Sequence, residues 1–215
     1  EGYRNFLIRR MNMTERAFVG IQFTGLRHFL WNAGFVSDYK EAYPFYHYGQ
    51  TNNGVSMLKD DFRFTEVTLG FRFAYREKFL RTRRVSFSLG TKYPVLRFQY
   101  TRGIEDVLSG EFAYDRFDLR IDESFYTKYL GMTSLEIHAG YINGDLPYCN
   151  LYNGNGSYRV FTIYAPGSFA TMRMNEFLSN RYVALYFNHN FGTLLLRTRF
   201  FSPEIVIVTN IAFGD

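Results

Sequence analysis

The sequence predicts an all-β fold, an antiparallel transmembrane β-barrel, and three observations predict it. Apolar and polar residues alternate with period two along segments of up to fifteen residues. Strands of soluble sheets run to about 5–6 residues, whereas tilted membrane strands need about 9–11. Aromatic residues make up 20% of the chain, with 24 Phe and 18 Tyr. Tyrosines gather at segment ends (Tyr75, Tyr93, Tyr100, Tyr126, Tyr129, Tyr141), where the two girdles of a membrane barrel would lie. The polar faces carry charges of both signs, as a narrow lumen requires, because a confined charge is costly unless paired. A soluble ligand-binding β-sandwich also alternates, with its polar face in water. Segment length, aromatic load and the charge ladders favour the barrel over it.

The clearest strand is 62–76, with Val67, Leu69, Phe71, Phe73 and Tyr75 on one face and Glu66, Thr68, Gly70, Arg72 and Ala74 on the other. In 116–122, Phe117, Leu119 and Ile121 alternate with Arg116, Asp118, Arg120 and Asp122, a ladder of alternating sign. In 133–141, Leu135, Ile137, Ala139 and Tyr141 oppose Ser134, Glu136, His138 and Gly140. Val183, Leu185 and Phe187 mark another strand, and Ile205, Ile207, Thr209, Ile211 and Phe213 a further one. With candidates at 4–12, 16–27, 29–39, 84–90, 93–102 and 193–200, eight to ten strands are expected. Short connections are expected near Met13–Thr14 and Ser202–Pro203, long ones at 40–61 and 144–179. Such unequal loops suit a barrel with short turns at one end and long loops at the other.

Composition and motifs narrow the function classes. The net charge of +5 comes from basic residues dispersed among acidic ones, which argues against a nucleic-acid partner. The basic run 76–84 reads as a solvated turn, with contact to lipid headgroups as the alternative. No run of eighteen apolar residues occurs, so no transmembrane helix is expected. Cys149 is the single cysteine, which excludes an internal disulfide. The histidines His28, His47, His138 and His189 show no metal-ligand spacing, and no G-x-S-x-G occurs. His138 reads as a hydrogen-bonded lumen residue. The expectation is a protein that is not an enzyme and takes neither cofactor nor metal. NGNGSYR at 153–159 has two glycines near an arginine but lacks the third glycine and the lysine of phosphate loops.

Residues 144–187 resemble the long sixth extracellular loop and following strand of the surface-antigen outer-membrane β-barrel superfamily, the BamA/TamA type. The resemblance rests on Pro147, Gly154 and Gly156, on Tyr158-Arg159-Val160-Phe161, and on Asn180-Arg181-Tyr182. Val160 stands where that superfamily's motif has glycine. The runs LGTKYPVL (89–96), YTRG (100–103), LYNGNGSYR (151–159), FATMRMNEFLS (169–179) and NFG (190–192) are closest to an uncharacterised branch carrying an N-terminal carboxypeptidase-regulatory-like domain. The resemblance implies a sixteen-stranded barrel of which residues 1–215 form a part. The soluble domain and the last strands are then expected to lie outside this stretch. It implies that the loop 144–179 folds toward the lumen, anchored by Arg159 with Tyr158, Gly154 and Gly156. The candidate acidic partners of Arg159 are Glu111, Asp118, Glu136 and Glu176. The implied setting is the outer membrane of a Gram-negative bacterium, in contact with its lipid. The implied role is to assist insertion or translocation of polypeptides or lipids, with client outer-membrane proteins or complex subunits as partners. A passive channel or structural surface barrel is the alternative.

Overall fold

A computed structural model of the protein describes residues 12–42, 46–52, 55–83, 85–154, 156–157, 167–173, 175–196 and 201–215. Eight strands form one antiparallel sheet, each paired with the next in sequence. They are β1 Met13–Phe23, β2 Phe29–Glu41, β3 Asp61–Ala74 and β4 Val95–Gly103. β5 is Tyr114–Thr127, β6 Gly131–Asn143, β7 Arg181–Asn190 and β8 Val206–Gly214. The other sheets among the described residues have two strands each, so no second large sheet faces this one as a sandwich would require. No described helix is long and apolar enough to cross a membrane.

The register keeps the two faces distinct across strands. Leu69 of β3 is aligned with Tyr100, Phe117 and Tyr141 of the next three strands, and Phe71 with Phe98, Leu119 and Ala139. Aromatic rings pack along this apolar face, Phe29 against Phe73 at 4.7 Å and Trp31 against Phe71 at 5.5 Å between centroids. The opposite face aligns Arg72 with Arg97 and Arg120, and Gly70 with Gln99 and Asp118. A one-residue slip of any strand would exchange these faces, so the pattern specifies the register.

The strand ends slide along the wall. Phe23 of β1 is aligned through Trp31 with Phe71. Six strands on, Asn190 of β7 is aligned through Met132 with Tyr126, four residues past Asp122, which is aligned through Val95 with Ala74. The stagger is seven residues over six strands, which at ~3.3 Å per residue and ~4.8 Å between strands corresponds to a tilt of about 40°, as in barrel walls.

At one end lie the connections 24–28, 75–94, 128–130 and 191–205; at the other lie 42–60, 104–113 and 144–180. The second end holds the larger apolar core. Phe62, Phe64, Phe112, Tyr114, Ile142, Leu146 and Tyr152 are buried together there, with Tyr46 and Tyr48 packed against them. The rings of Tyr46 and Tyr148 lie 4.2 Å apart, joining two of these loops.

Several sequence expectations are corrected. Met13–Thr14 is no connection: the two residues pair with Glu41 and Lys40 inside β1, because the alternation continues through them. The first strand ends at Phe23 rather than at residue 27, since Gly25 and a turn at 26–28 follow. The long connection expected at 40–61 is found at 42–60 and carries a hairpin of its own, Tyr48–Asn52 with Val55–Lys59. The basic run 76–84 and the candidate strand 84–90 together make a second hairpin, Lys78–Arg81 with Ser86–Gly90, outside the wall. That hairpin lengthens the end expected to carry only short turns. In the candidate strand 193–200, residues 193–196 are turn and irregular chain, and 197–200 lie outside the described residues, as does 4–11 of the candidate 4–12.

The tight turn between β5 and β6 depends on Gly131, whose φ is +115° and where an added Cβ would stand 2.0 Å from the Asn190 carbonyl oxygen. Gly131→Ala is expected to destabilise the fold by about 1–3 kcal/mol. Gly49→Ala, where nothing lies within 4 Å, should be near neutral in the same denaturant titration.

Candidate functional site

The polar face of β3 to β7 is a wall of paired charges covered by part of the 144–180 segment. Strand pairing sets the charges side by side. Asp122 accepts from both Arg97 and Arg120, the latter at 2.6 Å. Arg120 also donates to Glu136 at 3.0 Å, and Glu136 lies 3.4 Å from His138. Arg116 pairs with Asp118 at 2.9 Å, and Arg72 forms a two-point pair with Glu77 at 2.6 and 2.7 Å. The Arg72 guanidinium and the Ser88 hydroxyl hold the Glu77 carboxyl below the usual carboxylate range. On β1 and β2, Arg16 makes a two-point pair with the buried Asp38. Opposite charges brought together in this way offset the cost of confining each of them.

Several described residues of the covering segment engage the wall, among them Asn150, Tyr152 and Phe169. Asn150 accepts from the buried Lys40 at 2.6 Å and donates to the Tyr114 hydroxyl at 2.8 Å, and Tyr114 in turn donates to Glu66. Tyr152 donates to Asp118 at 2.8 Å, lies beneath the Arg116 guanidinium at 4.5 Å and stacks on Tyr182 at 5.7 Å. Its ring rests on Gly140, where an added Cβ would come within 2.3 Å of it. Only glycine permits that approach on an inward position of β6. Phe169 packs on Tyr186 at 5.4 Å. Burial raises the Tyr152 hydroxyl well above the usual tyrosine range and pushes the Cys149 thiol up to about 11. A cavity of about 420 Å³ remains beside this contact, bordered by Arg72, Arg97, Arg116, Arg120, His138 and Tyr152.

The residues expected to anchor the loop divide as follows. Arg159 and Tyr158 lie outside the described residues. Gly154 is buried against Met172, and Gly156 pairs with Phe169 in a short parallel bridge. Of the four candidate acids, Asp118 receives Tyr152 and Arg116, while Glu136 is engaged by Arg120 and His138. Glu111 pairs with Lys59 at 2.5 Å on the outer loops, and Glu176 is exposed in the turn before Leu178. The sequence reading missed Lys40, Tyr114, Asn150 and Tyr152. A readable signal for the last was Gly140, a glycine on the polar face of an otherwise regular strand.

Asp122, Glu136 and His138 bring their ligand atoms within 4.8 Å of one another, close enough for a metal ion. Two arginines already occupy the carboxylates, so the arrangement works as an ion-pair network. Across β4, β5 and β6 it ties the strands together beyond their backbone bonds.

Cys149 reports on this docking. Its raised pKa leaves roughly a hundredth or less of the thiolate of a free cysteine (pKa ≈ 8.5) at pH 7.5. Maleimide labelling of the native protein is therefore expected to be slow and to accelerate as pH rises toward 11. Asn150→Ala, which frees Lys40 and Tyr114 from the loop, should speed labelling at pH 7.5 at least tenfold; an unchanged rate would show that the loop is held elsewhere.

Comparison with known proteins follows this geometry. The family model described as "Family of unknown function (DUF5686) C-terminal domain" matches residues 23–200. No curated protein matches the sequence. Among solved structures, the chain is similar to BamA from Haemophilus ducreyi lacking POTRA domains 1–3, with a TM-score of 0.58 and 10% identity. The match covers 95% of this chain and 42% of the BamA chain. At that identity the likeness is one of fold, an antiparallel wall of the kind that lines a BamA barrel.

Proposed function

The chain belongs to the DUF5686 C-terminal-domain family, and from that premise we propose that it forms part of the wall of an outer-membrane β-barrel that assists insertion or translocation of polypeptides or lipids. The observation that carries the membrane reading is the asymmetry of the wall. On the outward face of β5 the uncharged stretch runs between Asp115 and Glu123. At ~3.3 Å per residue and about 40° tilt it spans about 20 Å, close to the ~25 Å apolar band of outer-membrane barrels. The inward face carries the ion-pair ladder, and the stagger of the strands suits closure. A sixteen-stranded barrel, membership of the branch with a carboxypeptidase-regulatory-like domain, and a Gram-negative outer membrane as its place are parts of this proposal.

The infolded segment favours assisted insertion over a passive channel. Asn150 and Tyr152 occupy the inner side of the wall by hydrogen bonds to Lys40, Tyr114 and Asp118, so the segment obstructs free passage and braces the strands. Client strands would then pair with a wall edge by strand addition; fold alone does not fix this role.

The test is reconstitution of the full protein into lipid vesicles. Faster folding of a second, urea-unfolded barrel protein is expected. Conductance of small solutes without any effect on client folding would favour the channel and sink the insertion role. Leu119→Arg, at the middle of the outward band, should cost about 2–4 kcal/mol of stability in lipid. A protein that stays monodisperse without detergent would end the membrane reading.

A further inference from the structure

The outward face of the wall is not uniformly filled. Ala139 of β6 is aligned with Leu119 on one side and Val183 on the other, and Leu119 with Phe98. One methyl group among larger side chains leaves a depression. It is an outward groove of about 340 Å³, floored by Ala139 and walled by Phe98, Phe117, Leu119, Tyr141 and Val183. Its lining is almost wholly apolar.

Arg181 stands at the mouth of this groove. It is aligned with Tyr141, and its guanidinium lies over the Tyr141 ring at 5.6 Å. It is exposed, and among the described residues no carboxylate pairs with it. The arginines of the inner wall are neutralised by Asp or Glu, and so is Arg102, which shares Asp115 with the Tyr100 hydroxyl on the outward face. Arg181 therefore offers a free, pre-oriented cation where the apolar band ends. A guanidinium held on an aromatic face keeps its donors available for the planar, two-point recognition of a phosphate.

We propose that this groove binds one anionic phospholipid, its acyl chain along Ala139 and its phosphate on Arg181. The inference rests on the membrane reading above. Shape supplies the chain subsite and charge complementarity supplies the headgroup subsite. An apolar peptide with an acidic residue has the same two features, but on a lipid-facing surface the acyl chain is the apolar group at hand.

The experiment uses the full protein in detergent micelles doped with phosphatidylglycerol or with phosphatidylcholine of the same acyl chains, and reads retained lipid by native mass spectrometry. At least tenfold preferential retention of phosphatidylglycerol is expected. Arg181→Gln should abolish the preference and Arg181→Lys should reduce it, because the ammonium keeps the charge but loses the two-point geometry. Ala139→Phe, or the milder Ala139→Leu, should lower retention of both lipids by filling the groove, with the folded state of each variant verified by circular dichroism. Equal retention by the native protein and Arg181→Gln would overturn the headgroup site. Unchanged retention in both Ala139 variants would overturn the chain site. Displacement of the lipid by millimolar inorganic phosphate would mark a free-anion site instead and overturn the proposal. A protein that inserts into bilayers yet shows no lipid preference refutes this groove alone. Failure to insert refutes the membrane reading and the groove with it.

Discussion

Confined charge has to be paired, and the inner wall from β4 to β6 is organised around that requirement. Arg97, Asp122, Arg120, Glu136 and His138 form a continuous run across three strands. Each member sits on the inward face because the register places it there, and Arg97, Arg120, Asp122 and Glu136 each have an opposite charge within reach on their own or the neighbouring strand. With these carboxylates already engaged by guanidinium groups, Tyr152 and Asn150 of the covering segment meet the wall through neutral groups. Tyr152 uses a hydroxyl and an aromatic ring, and Asn150 uses an amide. Hydrogen bonds to charged partners are stronger than neutral ones, so a few such contacts suffice to hold the segment inward.

The same docking links the wall to the loop-rich end. Lys40 reaches from β2 to Asn150, Tyr114 of β5 joins them, and Glu66 of β3 accepts from Tyr114. Phe62, Phe64 and Phe112 bury their rings directly beside this network. Three connections thus share one core with the strand ends, and displacement of the covering segment would disturb β2, β3 and β5 together.

The outward face follows a different rule. It needs apolar character rather than specific partners, so substitution among apolar residues changes its relief without changing its chemistry. One small residue, Ala139, is enough to open a groove between β5 and β7, and one unpaired arginine at its mouth gives that relief a polarity. At the opposite margin His189 points outward yet is buried, satisfied by Thr133 at 2.8 Å and the Leu130 carbonyl at 3.1 Å.

Period-two alternation by itself determined that the fold is all-β, the two faces of β3, β5, β6, β7 and β8, and the polar character of one of those faces. These are local properties, since neighbouring side chains in a strand point to opposite faces whatever the rest of the chain does. The same reasoning picked out Asp118 and Glu136 as inner-wall acids. It did not reach Tyr152 or Asn150, nor the partners of Lys40 and Tyr114, because those contacts join residues 34 to 110 positions apart. It also took Met13–Thr14 for a turn, although those residues pair in register with β2. Which residue meets which was decided only by the tertiary structure, because strand register and loop path set distances that no local pattern encodes.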